Sequence, residues 1–312
     1  MSAPVAGRLS ARFGRDRVVR GAPLGPLTSF RVGGTADYLF EARSDQEVVA
    51  ALEDARETGT AVTVLGGGTN VLVADAGVRG LVIRPRGSAI RQVDAGHVEA
   101  ESAATINGLV RWTISHGLAG LEAWAGTPGT VGGAVHGNAH FGGRMIGDLI
   151  ARVRLVDARG RVTVVDGHAM EFGYDRSRLQ GSGDVLVSAT FRVEQGDPAE
   201  LRRRARASLA YRKGTQPLGS PSAGCIFQNP EPGRDRVPAG IPWSAGALVD
   251  RAGLKDRTIG GARVSPVHGN FIVNEGTATA ADIRQLIELC RRTVREKFGV
   301  ELRDEIVYLG EF

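Results

Sequence analysis

The chain has 312 residues, 42% hydrophobic and 23% charged, with a net charge of +5. That length suits two or three domains around real cores, and no apolar run is long enough to span a membrane as a helix. Two cysteines, Cys225 and Cys290, make no disulfide framework and fit a reducing cytoplasm.

The positive charge is carried almost wholly by arginine, since only Lys213, Lys255 and Lys297 are lysines. It is spread along the chain, aromatics are sparse, and the densest run, Arg202-Arg203-Arg204 with Arg206, falls on an expected helix. No nucleic-acid platform is expected from that pattern, and an anionic small-molecule substrate accounts for the balance equally well. The segment Met1 to Gly21 is arginine-rich without an apolar h-region. This argues against a secretory signal, leaves a transit peptide open on composition alone, and predicts a poorly ordered or loosely helical leader over residues 1–20.

An alternating strand is expected through Ala36 to Ala42. A helix follows, capped by Ser44 with Glu47 completing a capping box, buried through Val48, Val49 and Leu52, and ended by Gly59. Strands come next at 61–65 and 80–84, then a pair near 90–93 and 98–102. Thr105 caps a helix carrying Ile106, Leu109, Val110 and Ile114. Strands near 150–156, 161–165 and 184–193 precede a helix that starts at Asp197-Pro198 and runs to about Tyr211. A Gly- and Pro-rich segment from Gly214 to Pro238 reads as a border carrying a functional loop. A helix at 245–251, two short strands near 262–264 and 271–273, and a long helix from Thr279 to Gly299 follow. Ile283, Leu286, Ile287, Cys290 and Val294 form the buried stripe of that long helix. A last strand, 306–309, is expected to pair back with an earlier sheet. Strands and helices mixed in this way predict an α+β fold rather than a doubly wound parallel sheet.

Two glycine-dense turns stand out: Gly66-Gly67-Gly68-Thr69-Asn70 after a β-branched strand, and Gly126-Thr127-Pro128-Gly129-Thr130-Val131-Gly132-Gly133. Neither contains a lysine, so neither is a P-loop. The third glycine of a Rossmann fingerprint would fall at Val71, in what reads as a strand. Glycine lets main-chain N–H groups converge on one ligand without a Cβ in the way, which suits a pyrophosphate. The pair reads as two turns closing on one dinucleotide.

Three polar sites do not follow the packing pattern: Phe172-Gly173-Tyr174-Asp175-Arg176-Ser177, Ser222 to Pro230 around Cys225, and Glu305. Taken singly, Arg176 also reads as a surface arginine, Cys225 as a small buried hydrophobe, and Glu305 as an edge-strand charge. His136 and His140 lie four apart in a glycine-rich stretch without the glutamate of a zincin, and no metal is expected.

In chain order from Thr28 to Gly310, the sequence resembles the UDP-N-acetylenolpyruvoylglucosamine reductase (MurB) family of peptidoglycan synthesis, in its shorter form. The resemblance rests on Thr28 to Gly34, Gly66 to Leu72, Gly126 to Gly133 with Asn138, Tyr211-Arg212-Lys213, Ser222 to Pro230, Gly269 to Asn274, and Phe298 to Leu302 with Glu305. It implies an FAD-binding fold of the vanillyl-alcohol-oxidase type in two subdomains, 21–84 (joined by 306–312) and 85–213, plus a C-terminal α+β substrate domain, 214–305. It implies non-covalent FAD held through Arg31, Gly66, Gly67, Gly68, Thr69, Asn70, Leu72, Gly126, Thr127, Gly129, Thr130, Gly132, Gly133 and Asn138. It further implies NADPH as hydride donor and a UDP-sugar bound by Tyr174, Lys213, Gln216, Asn229 and Asn270. A cytoplasmic monomer serving cell-wall biogenesis, cell shape and division is the corresponding expectation.

By the same resemblance, Arg176 stabilises an enolate at the substrate carboxylate, Cys225 delivers the proton, and Glu305 orients or polarises. An ionised glutamate would repel the enolate, so Glu305 is expected to be protonated or paired with Arg176. Two departures stand out. Cys225 occupies the place of the family's usual serine, and a thiol with an ordinary pKa of about 8.5 keeps its proton at neutral pH and gives it up more readily than a hydroxyl. The turn reads Tyr-Asp-Arg-Ser where the family pattern is Tyr-Arg-x-Ser, which moves the arginine one place, to Arg176. The runner-up function is another FAD oxidoreductase of this fold, oxidising an alcohol with oxygen as acceptor.

Overall fold

The computed structural model describes residues 4–157 and 159–312. They form two compact units. One gathers the residues up to Ala22 with Ala36–Gly67 and Arg79–Tyr211. The other gathers Pro23–Thr35, Gly68–Val78 and Arg212–Phe312.

The first unit holds two sheets. In one, the strands run in the order Val18–Pro23, Thr35–Ala42, Val78–Pro85 and Val62–Val64. Val62–Val64 and Val78–Pro85 are parallel, with Val62 opposite Leu81. Phe40, Leu81 and Ile83 of this sheet pack with Val48, Ala51 and Ala55 of the helix Asp45–Glu57. The other sheet is a five-stranded antiparallel one, in the order Val162–Asp166, Ile150–Val156, Val185–Arg192, His97–Glu101 and Ile90–Asp94. Its inner face meets the helix Ile106–Ser115 through Ile106, Leu109, Val110 and Ile114, the four positions that the helical period selects.

The caps explain where these helices start. Thr105 Oγ1 accepts the Gly108 N–H at 3.0 Å, and Ser44 Oγ accepts that of Glu47 at 3.3 Å. The expected capping box at Ser44 is not closed, because Glu47 turns away from the cap residue. Its carboxylate accepts the Arg43 N–H at 2.8 Å and pairs with Arg17 at 2.6 Å. The Arg17 guanidinium supplies a charge-assisted bond that a backbone N–H cannot match. Within the expected leader, Val5–Phe13 is a helix whose Val5 and Leu9 are buried in the cluster formed by Phe40 and Val48.

The second unit is built on the helix Ala280–Phe298, which follows Thr279 in a closed capping box with Asp282 and ends at left-handed Gly299. Its stripe of Ile283, Leu286, Ile287, Cys290 and Val294 packs with the helix Ala245–Arg251 and a small sheet ordered Thr258–Ile259, Ala262–Val264, Ile272–Asn274. The last strand, Val307–Leu309, returns to lie parallel with Val71–Val73. Asp75, just beyond Val73, takes the first two N–H groups of the long helix on its two carboxylate oxygens, at 2.9 and 3.0 Å.

A carboxylate on the first turn satisfies orphan donors and meets the positive end of the helix dipole. Asp75→Ala is therefore expected to lower stability by about 1–2 kcal/mol. The check is the urea midpoint at constant m-value. A midpoint equal to the wild type would mean that Thr279 caps this helix unaided.

Candidate functional site

In the first unit the two glycine turns lie against each other. A Cβ on Gly67 would stand 2.9 Å from the Gly129 Cα, and one on Gly66 would stand 2.9 Å from the Thr130 hydroxyl. Gly67 thus meets main chain, and Gly66 meets a hydroxyl that accepts the Gly133 N–H. The second turn is held from outside. Asn107 accepts the Gly126 N–H at 2.7 Å and donates to the Thr127 carbonyl at 3.1 Å, while Ile106 N–H donates to the Gly129 carbonyl at 3.1 Å. Thr130 caps the short helix Val131–His136 through its hydroxyl, and the Gly132 N–H donates to Ser102. The walls are main chain and hydroxyl, with no acidic side chain inside either turn. That donor set fits a pyrophosphate, and these residues are the ones that would hold FAD.

Asn138 is fully buried at a left-handed φ of 46°. It accepts the Gly147 N–H at 2.9 Å and donates to the Gly173 carbonyl at 2.7 Å. Its side chain acts as a clamp on the turn that carries Tyr174 and Arg176. That turn is closed by Gly173 and Arg176, which exchange both backbone hydrogen bonds, at 3.0 and 3.2 Å. Tyr174 and Arg176 are exposed, and Ser177 is buried with its hydroxyl donating to the His136 carbonyl at 2.7 Å. Burial lowers the pKa of His136, which keeps that imidazole neutral at pH 7.

In the second unit, one hydrogen-bonded array gathers several of the expected residues. Ile226 N–H donates to the Asn270 carbonyl at 2.9 Å. Phe227 N–H donates to Asn270 Oδ1 at 2.9 Å, and Asn270 Nδ2 donates back to the Phe227 carbonyl at 2.7 Å. On the other side, Glu305 N–H donates to the Ile226 carbonyl and Gln228 N–H to that of Arg303, both at 2.8 Å. Cys225 and Glu305 thus sit on adjoining segments. Asn70 joins them: its Nδ2 donates to the Glu305 carbonyl at 3.0 Å, and its own carbonyl accepts the Val307 N–H at 3.0 Å. Ion pairs pin the flanks, Arg303 with Asp235 at 2.8 Å and Arg291 with Asp304 at 2.5 Å. The Arg303 hydrogen bonds hold the Asp235 carboxyl below its ordinary range.

The other expected residues of this unit are placed as follows. Gly68 has a left-handed φ of 64°, and a Cβ there would strike the Leu27 carbonyl at 2.1 Å. Thr69 is half-buried, Leu72 is buried in the core, and Arg31 is exposed at a left-handed φ of 58° with its N–H on Thr28 Oγ1. Lys213 is exposed, Gln216 is half-buried, and exposed Asn229 accepts the Ala245 N–H at 3.0 Å.

Arg212 was not singled out from the sequence, yet it is the buried cation of this unit's site, only 6% exposed. Burial pushes its pKa down to about 10, and the charge of the Cys225 sulfur opposes that fall. It remains a cation at neutral pH, beside the thiol. The signal was available: Arg212 falls on the same face of the helix Pro198–Thr215 as Leu201, Ala205 and Ser208, at helical spacing. Asn107 carried no comparable signal, because its role depends on a turn twenty residues away.

Two family models match the chain: one described as an FAD binding domain over residues 36–166, and one described as the C-terminal domain of UDP-N-acetylenolpyruvoylglucosamine reductase over residues 216–309. The chain is similar to the UDP-N-acetylenolpyruvoylglucosamine reductase of Synechococcus sp. (strain JA-3-3Ab), 39% identical over 298 residues, covering 95% of this chain and 92% of that protein. The reductase of Moorella thermoacetica is 38% identical, with 95% and 94% covered. Among solved structures it is similar to the crystal structure of MurB from Thermus caldophilus, with a TM-score of 0.76 and 32% identity over 94% of this chain and 98% of that one. The α+β fold, with an FAD-binding domain of the vanillyl-alcohol-oxidase type, is the one expected from the sequence. With that fold, the paired glycine turns and relatives matched along nearly their whole length, the chain belongs to the UDP-N-acetylenolpyruvoylglucosamine reductase family.

Proposed function

We propose that this enzyme uses NADPH to reduce the enolpyruvyl group of UDP-N-acetylglucosamine enolpyruvate to UDP-N-acetylmuramate, as a monomer in the cytoplasm. The observation that carries the reading is the array that ties Ile226-Phe227, next to Cys225, to Glu305, Asn270 and Asn70 within one unit, beside a buried Arg212. A flavin oxidase acting on an alcohol would have no use for a thiol coupled to a guanidinium.

FAD, which the two glycine turns would hold, would supply the hydride chemistry that links NADPH to the enolpyruvyl methylene carbon. The chain supplies position and charge. Main-chain donors of the two glycine turns hold the pyrophosphate. Residues 214–305 take the UDP-sugar, with Lys213 and Gln216 toward its phosphates. Arg176 meets the substrate carboxylate, where negative charge develops as the hydride arrives. Cys225 protonates the adjacent carbon, and the Arg212 charge favours the thiolate that is left behind. Glu305 orients the site through the backbone it shares with Ile226. Asn270 and Asn229 act by holding the loop, since each already binds main-chain groups within its unit.

Anaerobic absorbance separates the steps. NADPH is expected to bleach the oxidised flavin band, and the enolpyruvyl UDP-sugar alone is expected to restore it. Bleaching without recovery would remove the substrate assignment and leave the flavoprotein standing.

Cys225→Ala is expected to slow product protonation on the order of 100-fold, read as solvent deuterium incorporation against time in single turnovers. Protonation at the wild-type rate would assign the proton to another group. Gly67→Ala drives a Cβ into Gly129, so the purified variant is expected to carry several-fold less flavin per chain. A full complement of flavin would mean that the two turns can part without loss.

A further inference from the structure

The turn Gly173–Arg176 is gripped from three alternate positions of one segment. His136 offers its carbonyl to the Ser177 hydroxyl at 2.7 Å, and Asn138 donates to the Gly173 carbonyl at 2.7 Å. His140 meets both tip residues. Its Nε2 lies 3.1 Å from Asp175 Oδ1, and its ring stacks on Tyr174 at 4.7 Å with 30° between the planes. The first two grips hold backbone or a hydroxyl and would serve any residue at the tip. The third depends on a carboxylate at 175.

That carboxylate is an unusual tenant. The Asp175 side chain is 8% exposed, its Oδ2 has no hydrogen-bond partner among the described residues, and His140 Nε2 meets Oδ1 at ion-pair distance without an aligned hydrogen bond. Its backbone is left-handed at a φ of 51°, a conformation that non-glycine residues rarely adopt. A desolvated carboxylate with one oxygen unsatisfied is destabilising unless a cation or donor answers it. The family pattern has an arginine at this place in the turn. Here the order is exchanged: the anion occupies the covered position, and Arg176 occupies the exposed one.

We propose that His140 is a positioning residue for the reductive site. It answers the Asp175 carboxylate and so fixes the exchanged turn from which Tyr174 and Arg176 act. The proposal rests on the reading above in which Arg176 stabilises the enolate. His140 does not touch substrate in this scheme. It keeps a buried negative charge from opposing the enolate, and it holds the turn tip against relaxation out of its left-handed conformation. Asp175 and His140 are thus one device, and each is a liability without the other.

The test separates the half-reactions in holoenzyme variants by stopped-flow absorbance. His140→Ala is expected to slow recovery of the flavin band with the enolpyruvyl UDP-sugar by about 10- to 100-fold, and to slow bleaching by NADPH far less. Adding Asp175→Asn is expected to restore most of the lost recovery rate, because the Asp175 charge is then gone. Wild-type recovery in His140→Ala would overturn the proposal. So would a loss that Asp175→Asn does not relieve, which would reduce His140 to packing. Should His140→Ala fail to hold flavin, the exchange variant Asp175→Arg with Arg176→Asp decides. In that background His140→Ala is expected to leave flavin binding intact, and an equal loss there overturns the proposal. Absence of recovery in the wild type would strike the proposed function instead, and that outcome is read before any variant is made.

Discussion

The array around Ile226 and Phe227 depends on one buried amide. Asn270 presents Oδ1 to the Phe227 N–H and Nδ2 to the Phe227 carbonyl, as a neighbouring strand would. With its own carbonyl on the Ile226 N–H, a single residue does the work of a strand edge. The other edge comes from Arg303 to Glu305, seventy-odd residues on in the chain. An irregular segment caught between two such edges cannot shift without leaving several buried polar groups unpaired, at about 1–3 kcal/mol each. That constraint lets a loop rich in glycine and proline hold Cys225 at a fixed place. A polar clamp suits the task better than apolar packing, since hydrogen bonds fix register as well as distance.

The first unit solves the same problem differently. Its glycine turns have no side chains to clamp, so fixity comes from close contact and from residues outside the turns. Asn107 binds both ends of the Gly126-Thr127 step, and Thr130 caps the helix that follows. Gly66 and Gly67 meet Thr130 and Gly129 with no room for a methyl group. The result is a surface of main-chain donors held in place by neighbouring residues. On the proposed reading, such a surface would meet phosphate oxygens through geometry rather than through charge. This explains why neither turn carries the lysine of a P-loop.

Most elements were legible because their signals are local. The helix Ala280–Phe298 announced itself by Thr279, Gly299 and a regular apolar stripe, and the strands by alternation and β-branching. The misses share one cause, which is that their partners are distant in sequence. Glu47 lies correctly placed for a capping box, but Arg17, thirty residues earlier, draws its carboxylate away. The helix Val5–Phe13 has no side-chain cap, and its Val5, Leu9, Phe13 spacing is hidden among arginines. The helix Val131–His136 lies inside what reads as a glycine turn, because two glycines near its start mask the period. In the candidate site, the motifs flagged Cys225, Glu305 and the glycine turns. They could not show that Asn138, Asn229 and Asn270 spend their amides on backbone, or that Arg212 is buried beside the thiol.

A thiol in the proposed donor position changes what its surroundings must supply. A hydroxyl is so weak an acid that its proton can leave only while another group takes the charge. A thiol, ordinarily near pKa 8.5, can lose and regain its proton at neutral pH with modest help. The help must also be bounded, because a cation set too close and too strongly would leave a resting thiolate with no proton to give. Arg212 meets that bound through its own burial. Desolvation pulls its pKa down to about 10, which leaves it charged in the working range but poorly hydrated and committed to its site. Burial disfavours the Arg212 charge, while the attraction of the Cys225 sulfur favours it. On the proposed mechanism, that attraction is greatest just after the proton has gone to carbon, the moment at which the chemistry would need it.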